Sequence, residues 1–303
     1  VIHDSLWLRK LAYLGARYGT TRFVTTSPPV IGTLFSTFMV SQRRVVLQNL
    51  RRILGKRDFF SEQRDVARTF SQYASCLTEA LGFERVRPQD IRFHLQGQPH
   101  LTSLMASDSG FVVLTAHTGA WDLASRHLQG HLRRPVMIAM QREANSAARE
   151  FQDTLRLRRG IEIAHVGENA FEGLSLLRHL RAGGVIAVQL DRMPQGSREL
   201  SAELFGKEFG IPVGPFQLAS LAKVPLVPVF CARLGYFEYE VSIGEPIRIE
   251  VRPTREQLKS AACKATLGLE SFLQKYPTQW FNFDSARPQT NNRHVQTGEP
   301  LGS

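Results

Sequence analysis

The chain has 303 residues, 43% of them hydrophobic and 21% charged, which excludes a chain disordered throughout and supplies a sizeable core. Its net charge of +11 and isoelectric point near 10.1 call for an anionic partner: nucleic acid, a membrane surface or an acidic substrate. Cys76, Cys231 and Cys263 are far apart, with no CxxC pair, which argues against a disulfide framework or structural zinc site and fits a reducing compartment.

The charge is concentrated at the start. Residues 1–58 carry ten Lys/Arg against Asp4 and Asp58. Apolar residues run through this basic region as helical stripes. Residues 5–19, SLWLRKLAYLGARYG, read as a basic amphipathic helix with Trp7 at a lipid headgroup level or, equally, with its apolar face packed on a core. TTSPP reads as a breaker, followed by an apolar segment from Val30 to Val40, too short to span a bilayer. SQRRVVLQNLRRILG and residues 60–82 read as two further amphipathic helices. The second opens on a Ser61 capping box and closes at Gly82.

From residue 91 the pattern changes. IRFHLQG alternates like an edge strand, and a short helix spans His100 to Ala106. Strands follow at Phe111–Ala116, Pro135–Gln141, Ile161–His165 and VIAVQLD, which ends at Asp191. Helices run between them from Trp121, through NSAAREFQDTLRLRRG, and over Ala170–Ala182. Residues 198–210 read as a hairpin, Gly214–Ala222 as a helix, Pro225–Cys231 as a strand, 236–250 as antiparallel strands and 253–276 as a final helix. This alternation predicts an α/β fold, a central largely parallel or mixed β-sheet covered by helices, with an N-terminal amphipathic helical region. The expected organisation is one domain over 1–284, with a helical membrane-facing part at 1–82 and an α/β catalytic part at 83–284. Residues 285–303 read as a disordered tail.

The stretch GFVVLTAHTGAWDLA, residues 110–124, carries the chemistry. A buried strand ends at His117, Gly119 permits a sharp turn, and Asp122 stands at a helix start. Ligand sites of open α/β sheets lie at such strand ends. Asp122 can accept a bond from one ring nitrogen of His117, leaving the other to act as a base. The bland alternative is a structural histidine at a helix start. His294 and Glu299 have the same spacing, but sit in a Gly/Pro/Asn-rich tail without a preceding strand. No GxSxG elbow occurs, and no cysteine has a nearby histidine in sequence, so no nucleophile motif competes.

The ordered set RRVVLQNL with Asn49, HTGAWD, QLDRMPQG, ELFGKEFGIPVGPFQLASLAKVPLVPVF and YPTQWFNF resembles the lysophospholipid acyltransferase superfamily, most closely its lipid A lauroyl/myristoyl acyltransferase-like branch, over roughly residues 5–284. The resemblance implies that His117 deprotonates an acceptor hydroxyl while Asp122 holds the ring. The alkoxide then attacks an acyl thioester of coenzyme A or acyl-carrier protein, without an acyl-enzyme and without a cofactor or metal. It further implies a peripheral position on the cytoplasmic face of the inner membrane, an anionic membrane surface as partner, and a lipid or glycolipid acceptor. Arg192 would bind a phosphate or carboxylate, beside Asp191, the bland alternative being an Asp191–Arg192 ion pair. Glu203 and Gly214 are weaker substrate-binding candidates, Gly214 as a helix start whose N–H groups meet an anion. The ending TQWFNFDSARP lacks the His/Arg-rich closing signature of lipid A enzymes and points to the wider branch. A thioesterase using the same dyad and a non-enzymatic anionic-lipid-binding protein are the alternatives. Nucleic acid is disfavoured, because the basic region interleaves aliphatic rather than stacking aromatic residues.

Overall fold

The computed structural model describes residues 6–132, 134–141, 150, 153–154, 157, 162–166, 170–193 and 197–284. Most of the expected basic helix at 145–160, the tail from 285 and the His294/Glu299 pair lie outside the described residues.

Four helices come first: α1 (Leu6–Tyr18), α2 (Thr21–Phe38), α3 (Val40–Leu54) and α4 (Phe59–Gly82). The expected break at TTSPP does not occur, since α2 runs through Pro28 and Pro29. Thr25, Thr26 and Ser27 hydroxyls donate to the carbonyls of Thr21, Arg22 and Phe23 in the turn before the prolines. Packing then carries the helix onward. Val24, Pro28, Gly32 and Ser36 form its buried stripe, and a Cβ at Gly32 would stand 2.4 Å from the Phe70 carbonyl oxygen of α4. Two helices approach this closely only over a residue without a side chain. Helix α4 starts earlier than expected. Asp58 is its N-cap, its Oδ1 accepting from the Ser61 N–H at 3.0 Å.

The α/β part contributes β1 (Arg92–Gln96), α5 (Gln98–Met105), β2 (Phe111–Thr115), α6 (Trp121–Leu132), β3 (Val136–Gln141), β4 (Glu162–Val166), α7 (Ala170–Arg181) and β5 (Val185–Gln189). The hairpin β6 (Glu199–Leu204) and β7 (Lys207–Pro212) follows, then α8 (Gly214–Ala222), β8 (Leu226–Gly235), β9 (Glu238–Ile243) and α9 (Arg255–Lys275). The seven-stranded sheet has the order β1-β9-β8-β2-β5-β3-β4. All neighbours are parallel except β8 and β9. Of the expected antiparallel stretch 236–250, only Glu238–Ile243 is a strand, and Ile247 adds a single bridge to Leu226.

Because side chains alternate across a strand, β2 feeds both layers of the core. Phe111 and Val113 pack with Leu123 and Ala124 of α6 on one face. Val112 and Leu114 pack with Leu180 of α7, Phe216 of α8 and Ala262 of α9 on the other. After β2 the chain crosses to β3 and β4 on one side. After β5, its hydrogen-bonded neighbour, it crosses to β8 on the other side. The connections therefore diverge between the carboxyl ends of β2 and β5, the crevice where doubly wound sheets bind ligands.

The turn after β2 has a strict backbone requirement. Gly119 has φ +47°, and a Cβ there would lie 2.3 Å from the Cys231 carbonyl oxygen. Gly119→Ala is expected to destabilise the fold by about 2–4 kcal/mol. Gly214→Ala, at a helix start where a Cβ meets open space, is expected to be neutral or stabilising by up to ~1 kcal/mol. Thermal or denaturant unfolding of the two variants checks both.

Candidate active site

His117 lies two residues beyond the last residue of β2, and Asp191 two beyond the last of β5. The strands pair Thr115 with Gln189, and the Leu190 N–H donates to the Thr115 carbonyl at 2.8 Å, so the register carries both side chains to the same crevice. There the His117 ring Nδ1 meets Asp191 Oδ1 at 2.9 Å, while the His117 backbone N–H donates to Asp191 Oδ2 at 3.1 Å. The Trp280 indole N–H donates to the same Oδ2 at 2.9 Å.

Asp191 is buried, and burial alone would raise its carboxyl. The charge of His117, the ring bond, the Trp280 indole and the His117 amide outweigh it and hold the group below the usual carboxylate range. An ionised carboxylate accepts only, so Nδ1 carries the hydrogen, and in the neutral ring the lone pair lies on Nε2. Among the described residues no hydrogen bond engages Nε2. The His117 side chain is 16% exposed.

Asp191 thus occupies the place that the sequence reading gave to Asp122. The reason is tertiary: strand register aligns 117 with 191, whereas Asp122 has already turned into the first turn of α6. Asp122 remains near the crevice. It lies, with Arg192 and Arg9, in the electrostatic surroundings of the Tyr73 hydroxyl of α4, a residue 38% exposed. These four side chains share one electrostatic neighbourhood.

No Asp191–Arg192 ion pair forms. Arg192 Nε instead meets Asp284 Oδ2 at 3.1 Å, with both side chains substantially exposed. Such an exposed pair contributes little stability. Glu203 lies on the solvent face of β6, opposite Glu208, and is not part of the network around Asp191. Gly214 is an exposed helix start with neither a positive φ nor a close backbone contact. Its backbone does not require glycine.

The segment 276–284 closes the site. The Gln279 side chain spans the Arg233 backbone: its Oε1 accepts from Arg233 N at 2.7 Å and its Nε2 donates to Arg233 O at 2.8 Å. The Gly119 N–H donates to the Gln279 carbonyl at 3.2 Å, and the Phe281 N–H to the His117 carbonyl at 2.7 Å. Asn282 Nδ2 donates to the Asp191 carbonyl at 2.8 Å, and Asn49 Nδ2 of α3 to the Asn282 carbonyl at 2.9 Å. Sequence reasoning quoted Trp280, Asn282 and Asn49 within motifs without giving them roles. No local pattern couples residues 233 positions apart.

A narrow apolar slot of about 30 Å³ lies between α6 and the sheet, the room of roughly one water. Thr115 and Trp121 line it near the His117 turn, Val113, Ala124 and Ala187 lie along it, and Val136 and Leu132 stand toward the far end. A larger cavity of about 260 Å³, between His100, Ser107, Ser109, Pro225 and Arg248, is at the amino ends of the strands. The length of β2, ~17 Å, separates it from His117, so it is not where this chemistry would occur. Among the described residues no three His, Cys, Asp or Glu side chains are grouped to hold a metal.

Comparison with curated proteins finds no match. The model of the bacterial lipid A biosynthesis acyltransferase family matches residues 13–285. That span takes in the helical region from within α1 onward, the His117 turn, Asp191 and the closing Trp280 segment, so the chain belongs to the bacterial lipid A biosynthesis acyltransferase family and is an acyltransferase.

Proposed function

We propose that this acyltransferase moves a fatty acyl chain from an acyl thioester to a hydroxyl of a lipid or glycolipid acceptor at a membrane surface. The observation that carries this reading is the His117–Asp191 pair at the divergence point of the sheet. Nε2 of His117 takes the proton of the acceptor hydroxyl, the oxygen attacks the thioester carbonyl, and the C–S bond breaks. The proton on Nε2 then passes to the departing thiolate. A thioester is already activated, so a positioned base can suffice. Asp191 holds the Nδ1–H tautomer and stabilises the imidazolium. Asp122, at the amino end of α6, complements the helix dipole and shapes the field beside Tyr73.

Arg192 and Arg9, both in the electrostatic surroundings of Tyr73, would meet a phosphate of donor or acceptor. The donor is coenzyme A or acyl-carrier protein. Its chain would enter along the largely apolar slot beneath α6, which Ala124 and Ala187 help to line.

The acceptor surface is suggested by the N-terminal helices. Trp7, Tyr18, Phe38 and Phe60 are 66%, 76%, 76% and 82% exposed. On α2 the buried stripe leaves Phe23, Val30, Ile31 and Leu34 on the outer side. No single helix among the described residues is long and apolar enough to cross a membrane; α2 and α3 pass that test only as a pair bent by 101°. An apolar outer face on short helices suits lying in an interface. The basic excess is smaller in effect than in sequence, because Arg51 meets Glu62 at 2.6 Å and Arg17 meets Glu84 at 3.2 Å, with Arg57 bound to Asp65. Burying apolar side chains, more than charge, would hold the protein at the bilayer.

The decisive experiment offers anionic vesicles, a labelled long-chain acyl thioester and a panel of hydroxylated lipids to the purified protein. Transfer to an acceptor supports the reading, and acceptor-independent release of free fatty acid would replace it with a thioesterase. His117→Ala and Asp191→Asn are each expected to lower transfer by about 10²–10⁴-fold, and Asp122→Asn by distinctly less. Since Asp191 is held below the usual carboxylate range, its folded-state ionisation stabilises the protein above pH ~4 and is lost as pH falls through its depressed value. Above pH ~4 its protonation is not expected to limit the rate. Replacing Val30, Leu34 and Phe38 by Ser is expected to weaken vesicle co-sedimentation by about tenfold or more, whereas His117→Ala leaves it unchanged.

A further inference from the structure

The carboxylate of Asp191 is held from two directions. Its Oδ2 accepts from the His117 amide at 3.1 Å and from the Trp280 indole at 2.9 Å, leaving Oδ1 for the His117 ring at 2.9 Å. A carboxylate at a strand end can rotate about its side-chain bonds. A bond from the His117 amide alone ties it only to the residue it must orient. The indole is the independent anchor, coming from a segment 89 positions away.

That anchor is itself fixed. Trp280 is 3% exposed, packs among Leu204, Phe205 and Phe209, and bridges Thr118 through its backbone. An indole donates and cannot accept, so it holds Asp191 only as an acceptor. Asn282 holds the Asp191 carbonyl, and Asn49 of α3 holds Asn282. The aspartate is thereby tied at side chain and backbone to one short stretch of chain.

We propose that Trp280 is a positioning residue: its indole N–H orients the Asp191 carboxylate and, through it, fixes His117 in the Nδ1–H tautomer with Nε2 facing the substrate. The kinetic part of this inference rests on the acyl-transfer reading; the structural part does not.

The test is Trp280→Phe in the full chain with isotope-labelled histidine, the His117 resonance being identified from His117→Ala. Nitrogen chemical shifts report the tautomer without substrate. The wild type is expected to show the single Nδ1–H form and the variant a mixture. Its kcat is expected to fall about ten- to hundredfold, the loss of one hydrogen bond to a charged group, with KM within about threefold. If the smaller ring fails to support folding, benzothienylalanine at position 280 replaces only the N–H by sulfur and keeps the packing. An unchanged tautomer in a folded variant overturns the proposal, even if kcat falls, because Trp280 would then act on the substrate instead. Absence of acyl transfer in the wild type would sink the function reading alone, and the tautomer would still decide the role of Trp280.

Discussion

The structure around the site depends on keeping one buried carboxylate charged. Burial favours neutral Asp191, and an isolated ion there would be costly. Three N–H donors, the His117 ring, the His117 amide and the Trp280 indole, reverse that preference. Each donor comes from a different requirement of the fold: the strand end at His117, the turn that leaves its amide pointing inward, and the closing segment that delivers Trp280. Losing any one of them leaves the charge less compensated.

This explains why so much of the chain converges on residues 276–284. The segment bridges Thr118, clasps the backbone of Arg233 through Gln279 and reaches α3 through Asn282. Its rings also join the two parts of the molecule: Phe283 packs against Phe70 and Tyr73 of α4 at 5.2 and 5.0 Å, and Phe281 against Tyr73 at 5.4 Å. Behind them Glu79 of α4 accepts from Arg233 at 2.7 Å and from the Tyr239 hydroxyl. The helical region with the apolar outer face is therefore packed onto the same frame that orients the base.

The apolar slot beneath α6 shows the complementary constraint. Interiors pack to crystal-like density, so a pocket for a long chain either persists as a cavity or opens on demand. Here Trp121, Leu132 and Phe230 stand among the walls, and a slot of about 30 Å³ leaves no preformed channel for a long chain.

Much was legible in the sequence, because it depended on local periodicity. The continuous apolar run 111–116, the alternation of strands and helices and the glycine after His117 determined an α/β sheet with a histidine at a strand's carboxyl end. The ordered motifs pointed to the acyltransferase family. Proline at 28 and 29 misled, since close packing of Gly32 on α4 outweighs the breaker. The partner of His117 was decided only by tertiary structure. Asp122 is the near acid in sequence, but parallel pairing of β2 with β5 brings position 191 opposite 117, and a helix start carries position 122 onward. Trp280 and Asn282 acquired roles in the same way. Sequence spacing measures distance along one strand or helix, whereas this site is assembled across strands, where register sets the neighbours.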